Sequence, residues 1–315
     1  MNKYKFGVLG IGPVGGIMAA HLAKSGHDVI IIDVMKAHMD EIKKSGLSIT
    51  GFKDLNATFS KNNICYGIDE LNDKDIDYLF ISVKASILPQ ILPIIKQVVK
   101  PGMTFIALQN GLDNEELISD VFGKENTLRI VVNYAGNLID NGKLRMSFFN
   151  APNYIGMIDP SAEKIAKNLA QVITKADLET AFTPEIKKYE WEKIILNAGL
   201  SPVCALTRRT MKQMMECKNT RNLTESILRE GIEVAAANGI HFKPDFLEFC
   251  MSYLDKAGHH KTSMHVDIEK RNPTEIDFIN NMIVKYGKAK GVPTPINSTI
   301  VSLIKGSELP EYIGA

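Results

Sequence analysis

The stretch KFGVLGIGPVG, residues 5–15, decides the fold of this chain of 315 residues. A short β-rich run from Lys5 to Leu9 leads into three glycines with the spacing GxGxxG, and a helical pattern from Val14 to Ser25 follows. In this motif the first glycine allows a tight turn, the second lets the backbone approach a diphosphate, and the third lets the helix pack closely on the strand. Since strand, turn and helix occur in the required order, we predict a dinucleotide site formed by Gly10, Ile11, Gly12, Pro13, Val14 and Gly15.

An acidic residue follows the second predicted strand, which consists of the β-branched residues Val29 to Ile32. Such a run is typical of a strand buried on both faces. A carboxylate at Asp33 would accept hydrogen bonds from the adenosine ribose and repel the 2′-phosphate of NADPH, so it favours NADH. Lys36 and His38 follow closely and could offset part of that repulsion. The alternative role for Asp33 is that of a helix N-cap.

Strand and helix patterns alternate through the first half of the chain and then stop. The alternation predicts an α/β fold with βαβ units, a Rossmann-type doubly wound parallel sheet with helices on both faces. From about Thr183 onward only helical patterns remain, broken by prolines that include Pro202. We therefore predict a dinucleotide-binding domain over residues 1–183 and an all-helical substrate domain over residues 184–315. The last residues, 308–315, are expected to form a loosely held tail.

The composition excludes several classes of protein. The formal net charge is +1, so no global positive field attracts nucleic acid or an anionic membrane. No pair of the four cysteines has CxxC spacing, so we expect neither a zinc ribbon nor a thioredoxin-type site. Cysteines this sparse and scattered suit a reducing compartment. We find no signal-peptide pattern and no apolar stretch near the ~20 residues that span a bilayer, so we expect a cytoplasmic protein. His259, His260 and His265 lack matching carboxylate or cysteine spacing, so we expect no metal site.

Further motifs lie beyond the glycine loop. They are Val83-Lys84-Ala85, Gln109-Asn110-Gly111, the run from Trp191 to Asn197, Ser263-Met264 and Thr274-Glu275-Ile276-Asp277. Together with the glycine loop they resemble the ketopantoate reductase (2-dehydropantoate 2-reductase) family over nearly the whole chain. The resemblance implies a Rossmann domain joined to a helical domain, with the active site in the cleft between them. It also implies reduction of a 2-oxo acid to a 2-hydroxy acid with NAD(P)H, in the family a step of pantothenate biosynthesis with NADPH as the usual donor.

The resemblance also implies roles for individual residues. Lys193 matches the catalytic lysine and Glu275 a catalytic-site glutamate. Lys84, Asn110 and Ala135 match positions near the cofactor, with Asn110 at its nicotinamide end. The substrate-binding positions are Asn110, Asn197, Ser201 and Ser263.

The chain departs from the family pattern at two positions. The family usually has Asn-Pro where this chain has Ser201-Pro202, so the pocket is larger or the substrate differs. Members that use NADPH carry an arginine just beyond the second strand, where this chain has Asp33-Val34-Met35.

The spacing of the motif residues supports these roles, although plainer roles exist. Lys193, Asn197 and Ser201 are spaced i, i+4, i+8 and share one face if the helix continues to Pro202. The plainer alternative is a solvated lysine with polar neighbours. Glu275 has a plainer alternative too, that of a carboxylate at the start of a helix.

Two other functions remain open. One is another 2-hydroxy acid or opine-type dehydrogenase of the same architecture. The other is a nucleotide-binding redox regulator, whose mark would be loss of the lysine or the acid; Lys193 and Glu275 are both present. The expected partner is a small 2-oxo acid rather than nucleic acid or membrane, and a homodimer is compatible with the sequence.

Overall fold

The computed structural model describes residues 4–308, which divide into two compact units. The first unit runs to Gln109 and resumes at Asp113–Ile186, and the second comprises Asn110–Leu112 and the chain from Lys187 onward. The predicted boundary at Thr183 lies close to this division. Residues 110–112 belong to the second unit, whereas the sequence predicted them in the dinucleotide-binding domain. Apart from Glu308, the predicted tail lies outside the described residues, as does the start of the chain at residues 1–3.

All strands of the described residues belong to the first unit. In chain order they are β1 (Lys5–Leu9), β2 (Asp28–Ile32), β3 (Leu47–Gly51), β4 (Leu55–Ala57), β5 (Ile64–Cys65), β6 (Tyr78–Ile81), β7 (Thr104–Ala107), β8 (Thr127–Val131), β9 (Tyr134–Asp140), β10 (Lys143–Phe149), β11 (Asn153–Met157) and β12 (Thr180–Phe182). The helices of this unit are α1 (Pro13–Lys24), α2 (Lys36–Ser45), α3 (Leu88–Val98), α4 (Asn114–Phe122) and α5 (Glu163–Lys175).

An eight-stranded sheet forms the centre of this unit, with strand order β12-β11-β8-β7-β6-β1-β2-β5. Its strands pair in parallel except β11 with β8, which are antiparallel. The strands β1, β2, β6 and β7 are buried almost throughout, as expected for a sheet covered on both faces. The predicted Rossmann-type α/β fold is therefore confirmed.

A second sheet, of four strands in the order β4-β3-β10-β9, was not predicted. Strands β9 and β10 form a hairpin whose turn contains Asn141-Gly142, a dipeptide typical of hairpin turns. Leu144 and Met146 of β10 belong to the same buried core as Ile17 and Met18 of α1. A Cβ atom on Gly16 would lie only 2.5 Å from Leu144 Cδ1, so a glycine here lets α1 pack against this sheet. Contact with both sheets explains why α1 is buried from Gly15 to Leu22.

The second unit is helical, as predicted. Its helices are α6 (Ile186–Thr207), which begins one residue before this unit, α7 (Met211–Glu216), α8 (Lys218–Ala237), α9 (Phe246–Asp255), α10 (Ser263–Glu269), α11 (Asn280–Lys290) and α12 (Pro295–Ser307). One apolar cluster joins them, and it includes Trp191, Ile195 and Leu228. The expected break at Pro202 does not occur, because α6 continues through this proline to Thr207.

Among residues 4–308 we find no helix that combines the length and apolar character needed to cross a membrane. The same residues contain no cluster of three or more His, Cys, Asp or Glu side chains suited to a metal ion.

Candidate functional site

The glycine loop has the shape that a diphosphate requires. Gly10 has φ +93°, and a Cβ atom there would lie 2.9 Å from the backbone nitrogen of Val83. A Cβ atom on Gly15 would lie 2.0 Å from the carbonyl oxygen of Gly10. By contrast, a Cβ atom on Gly12 would meet no described atom within 4 Å. The open side of the loop is thus at the N-terminus of α1, where the first backbone N–H groups of a helix attract an anion.

Asp33 braces this loop from the end of β2. Its Oδ2 accepts a hydrogen bond from the backbone N–H of Ile11 at 2.7 Å, and its Oδ1 accepts one from Met35 at 2.8 Å. The N-cap of α2 is Met35, so the alternative role of Asp33 as that N-cap is wrong. Each carboxylate oxygen retains acceptor capacity for a ribose hydroxyl. Contact with the ribose therefore stays a prediction that this geometry allows.

His38 holds the other backbone group of Ile11. Its Nδ1 accepts a hydrogen bond from the backbone N–H of Gly142 at 3.0 Å, so its Nε2 carries the proton and donates to the carbonyl of Ile11 at 3.1 Å. The ring is buried, and burial lowers the pKa of His38. The expectation that His38 offsets the charge of a phosphate is therefore wrong, since the neutral ring already binds two backbone groups. Lys36 is exposed.

Two other predicted cofactor residues lie close to the loop. Lys84 follows β6, which pairs with β1, and the preceding Val83 packs against Gly10. Ala135 lies in β9 beside Tyr134, whose hydroxyl donates to the carbonyl of Val14 at 2.9 Å. Both Lys84 and Ala135 are half-buried. The roles of the two side chains stay predictions, while their backbone positions are beside the loop.

In the helical unit, Lys193, Asn197 and Ser201 all belong to α6, at the spacing that places them on one face. Lys193 and Asn197 are half-buried and Ser201 is buried. The neighbouring Trp191 is buried and makes an edge-to-face contact with Tyr286, with ring centroids 5.3 Å apart. Because α6 is anchored in the core, Lys193 is not the lysine of a fully solvated helix.

Ser263 is joined to this face through its neighbour Thr262. The hydroxyl of Thr262 accepts from the backbone N–H of His265 at 3.2 Å and so caps α10, which begins at Ser263. The same hydroxyl lies 3.2 Å from the carbonyl oxygen of Ser201 and donates to it. The start of α10 is therefore fixed beside α6 at Ser201.

Asn110 and Glu275 also meet, although 165 positions separate them in the sequence. The Nδ2 atom of Asn110 donates to Oε2 of Glu275 at 3.4 Å, and the backbone N–H of Leu112 donates to the carbonyl of Phe278 at 3.2 Å. A Cβ atom on Gly111 would lie 2.6 Å from Cβ of Phe278. These contacts place residues 110–112 in the helical unit and correct their predicted assignment to the nucleotide domain.

The plainer role of Glu275, a carboxylate at the start of a helix, stays open. Glu275 precedes a single 3₁₀ turn, Ile276–Phe278, and its side chain makes no capping hydrogen bond.

Three residues that position the site were not predicted: Thr262, Phe278 and Tyr134. Only Thr262 had a local signal, because threonine is a preferred N-cap residue. Phe278 and Tyr134 act through contacts between distant parts of the chain, which no sequence spacing shows.

A Rossmann sheet with an open glycine loop, in a chain whose helical unit holds a half-buried lysine on a core helix and an asparagine–glutamate contact, is typical of a nicotinamide-dependent oxidoreductase. Two family models agree with this class. The model of ketopantoate reductase PanE/ApbA matches residues 6–160, and the model of its C-terminal part matches residues 185–308. The chain therefore belongs to the ketopantoate reductase family, and it is an NAD(P)-dependent oxidoreductase acting on a CH–OH group.

Individual relatives cover almost the whole chain. A 2-dehydropantoate 2-reductase of Pyrococcus abyssi is 29% identical over 311 residues, which are 98% of this chain and 99% of that protein. The structure of a 2-dehydropantoate 2-reductase from Geobacter metallireducens is 24% identical with a TM-score of 0.89, covering 96% of this chain and 99% of its own. The structure of D-mandelate dehydrogenase with NADH and anilino(oxo)acetate is 25% identical with a TM-score of 0.88, and the match covers 96% of this chain and 98% of that chain.

Proposed function

We propose that the protein reduces a 2-oxo acid to a 2-hydroxy acid with NAD(P)H, and that the substrate is ketopantoate (2-dehydropantoate), reduced to pantoate for pantothenate biosynthesis. The observation that carries this proposal is the pair of long-range contacts that the predicted residues and their neighbours make in the helical unit. Contacts between Thr262 and Ser201 and between Asn110 and Glu275 join stretches that are distant in sequence. The Pyrococcus abyssi relative supports the choice of substrate.

Lys193 is the general acid in this proposal. A reduced nicotinamide held at the glycine loop would supply the hydride for the carbonyl carbon of the oxo acid. A lysine side chain is ordinarily protonated at neutral pH, so Lys193 donates a hydrogen bond to the carbonyl oxygen and then transfers its proton there. A cation aimed at this oxygen stabilises the developing negative charge more strongly in the transition state than in the ground state.

The other residues bind and orient the substrate. Asn197, Ser201 and Ser263 donate hydrogen bonds to its carboxylate and hydroxyl groups. Glu275 accepts a hydrogen bond from a substrate hydroxyl. The bond from Asn110 to Oε2 of Glu275 orients that carboxylate.

A second candidate substrate is a 2-oxo acid with a larger side chain. Ser201 is shorter than the asparagine that the family usually carries, so it leaves more room beside α6. The likeness to D-mandelate dehydrogenase supports this candidate, since mandelate carries a phenyl ring.

NADH is the proposed preferred donor. The Asp33 carboxylate would repel a 2′-phosphate on a nucleotide bound at the loop. The next residues, Val34 and Met35, carry no charge and are 81% and 48% exposed, so they do not neutralise that phosphate.

A cytoplasmic location and a homodimer also belong to the proposal. The dimer is checked by the mass measured in light scattering.

The test is a comparison of kcat/KM for ketopantoate with NADH and with NADPH, beside phenylglyoxylate as the bulkier 2-oxo acid. Turnover of ketopantoate that exceeds turnover of phenylglyoxylate supports the first substrate, and the reverse order supports the second. If the protein binds the cofactor but turns over none of the 2-oxo acids, the proposed reductase activity is refuted and the alternative function, a redox regulator, is favoured. Lys193→Ala serves as the control for contaminating activity.

A further inference from the structure

A defect lies in the last third of α6, the helix that carries the proposed substrate-binding residues. Pro202 has no backbone N–H, so α6 lacks the hydrogen bond that residue 202 would donate to the carbonyl of Ala198. In a regular helix a proline ring also clashes with the carbonyl four residues before it, here that of Ala198. Ala198 directly follows Asn197, and Pro202 directly follows Ser201. The defect therefore lies where the direction of these two side chains is set.

Asn280 replaces the missing bond from a different helix. It is the first residue of α11 and is fully buried. Its Nδ2 atom donates to the carbonyl of Ala198 at 3.2 Å and to Oδ1 of Asn297 at 3.0 Å. The opposite orientation of the amide would place Oδ1 against the Ala198 oxygen, where two acceptors repel. The contact with Ala198 thus fixes which way the amide points.

A buried polar chain holds Asn280 in place. Asn297 donates from Nδ2 to Oε2 of Glu230 at 2.7 Å. Glu230 also accepts from the backbone N–H groups of Ile296 and Asn297, each at 2.8 Å, at the start of α12. A carboxylate is favourable at a helix N-terminus. The position of Asn280 is therefore set by α8 and α12 as well as by its own helix.

We propose that Asn280 is a positioning residue for the reduction: it pairs the carbonyl that Pro202 leaves open and so fixes the course of α6 between Lys193 and Ser201. This rests on the proposed function, and Asn280 itself does not touch substrate. Thr262 fixes the other side of the defect, since it donates to the carbonyl of Ser201 at 3.2 Å. A shift of about 1 Å in a reacting group can cost on the order of 100-fold in rate, so a small change in α6 is measurable.

Four proteins test the proposal: the wild type, Asn280→Leu, Pro202→Ala and the double variant. Asn280→Leu removes the donor at similar volume, and we expect kcat for ketopantoate to fall roughly 10- to 100-fold. The Kd for NADH should stay unchanged, because the glycine loop belongs to the other unit. Pro202→Ala returns an N–H to position 202, so the double variant should regain most of the lost kcat.

A matched control removes a similar bond elsewhere in the same unit. The Nδ2 atom of Asn238 donates to the carbonyl of Val234 at 2.8 Å near the end of α8. Asn238→Leu should lower the midpoint of urea unfolding and leave kcat and KM unchanged. If Asn280→Leu behaves in the same way, Asn280 is only structural and the proposal is overturned.

The remaining outcomes also decide the question. A double variant that shows the sum of the two single effects, without recovery, overturns the proposal. If Asn280→Leu does not fold, a folded double variant supports it and an unfolded one overturns it. A wild type without turnover refutes the proposed function instead. In that case the coupling between positions 280 and 202 in the urea midpoints still decides whether Asn280 supplies the missing bond.

Discussion

Replacing Asp33 by Asn tests both roles of this residue, as a brace of the glycine loop and as the group that repels a 2′-phosphate. The carboxylate accepts from Ile11 at 2.7 Å and from Met35 at 2.8 Å, one bond on each oxygen. Asparagine offers one oxygen, so its NH₂ group must face one of these two N–H donors. A hydrogen bond to a charged group contributes roughly 1.5–3 kcal/mol. Loss of one such bond from the glycine loop therefore lowers the affinity for either cofactor by at most about 10- to 150-fold.

The second effect of Asp33→Asn acts on NADPH alone. Two unit charges ~4 Å apart interact by about 4 kcal/mol at an effective dielectric constant of 20, before salt screens them. We expect about 1.4 kcal/mol of this to survive, which corresponds to about a tenfold preference for NADH. Asp33→Asn should therefore weaken NADH binding and reduce the preference about tenfold, because the loss for NADPH is offset by the removed repulsion.

The assay is a fluorescence titration of both reduced cofactors at two salt concentrations. Asp28→Asn is the control, since Asp28 begins the same strand and is exposed. Tighter binding of NADPH than of NADH by the unmutated protein would refute the preference. Unchanged affinity of Asp33→Asn for NADH would refute the brace.

Three further predictions concern catalysis and acid stability. Lys193→Ala should lower kcat about 10²- to 10⁴-fold with an unchanged Kd for NADH, because general acid catalysis commonly contributes that much; steady-state kinetics that retain most of kcat would contradict its role. Glu275→Gln keeps the shape and removes the charge, so we expect a raised KM, a lowered kcat or both, whereas lost thermal stability with unchanged kinetics would indicate a structural carboxylate. Burial lowers the pKa of His21, His27 and His38. The unfolded chain therefore binds more protons than the native one below about pH 6.5, and the free energy of unfolding should fall from pH 7.5 to pH 5.5 in urea titrations; a higher value at pH 5.5 would contradict this assignment.

The strands that could be predicted are those whose burial follows from a continuous run of apolar residues in the sequence. Strands β1, β2, β6 and β7 are short apolar runs, and the ends predicted for β1 and β2 lie within one residue of the observed ends. The second sheet was missed because β9 has only one buried residue and β4 has three residues, so neither forms an apolar run. Only the Asn-Gly turn between β9 and β10 indicated it.

The site shows the same division between local and distant signals. The spacing of Lys193, Asn197 and Ser201 placed them on one helix face, as the structure has them. That α6 continues through Pro202 could not be predicted, because the donor that compensates, Asn280, lies far along the chain. The braces of the glycine loop from Asp33 and His38 are likewise tertiary contacts.

Because Asn110–Leu112 belong to the second unit, no single cut in the sequence separates the two units. Leu112 is 1% exposed and belongs to the apolar core of the helical unit, yet it is encoded more than seventy residues before the rest of that core. A fragment that begins at Lys187 would lack this side chain and would expose the Phe278 carbonyl that pairs with its N–H. A chimaera of two relatives joined near residue 186 would therefore combine residues 110–112 of one parent with the helical core of the other. Chimaeras should be cut so that residues 110–112 and the segment 275–279 come from the same parent.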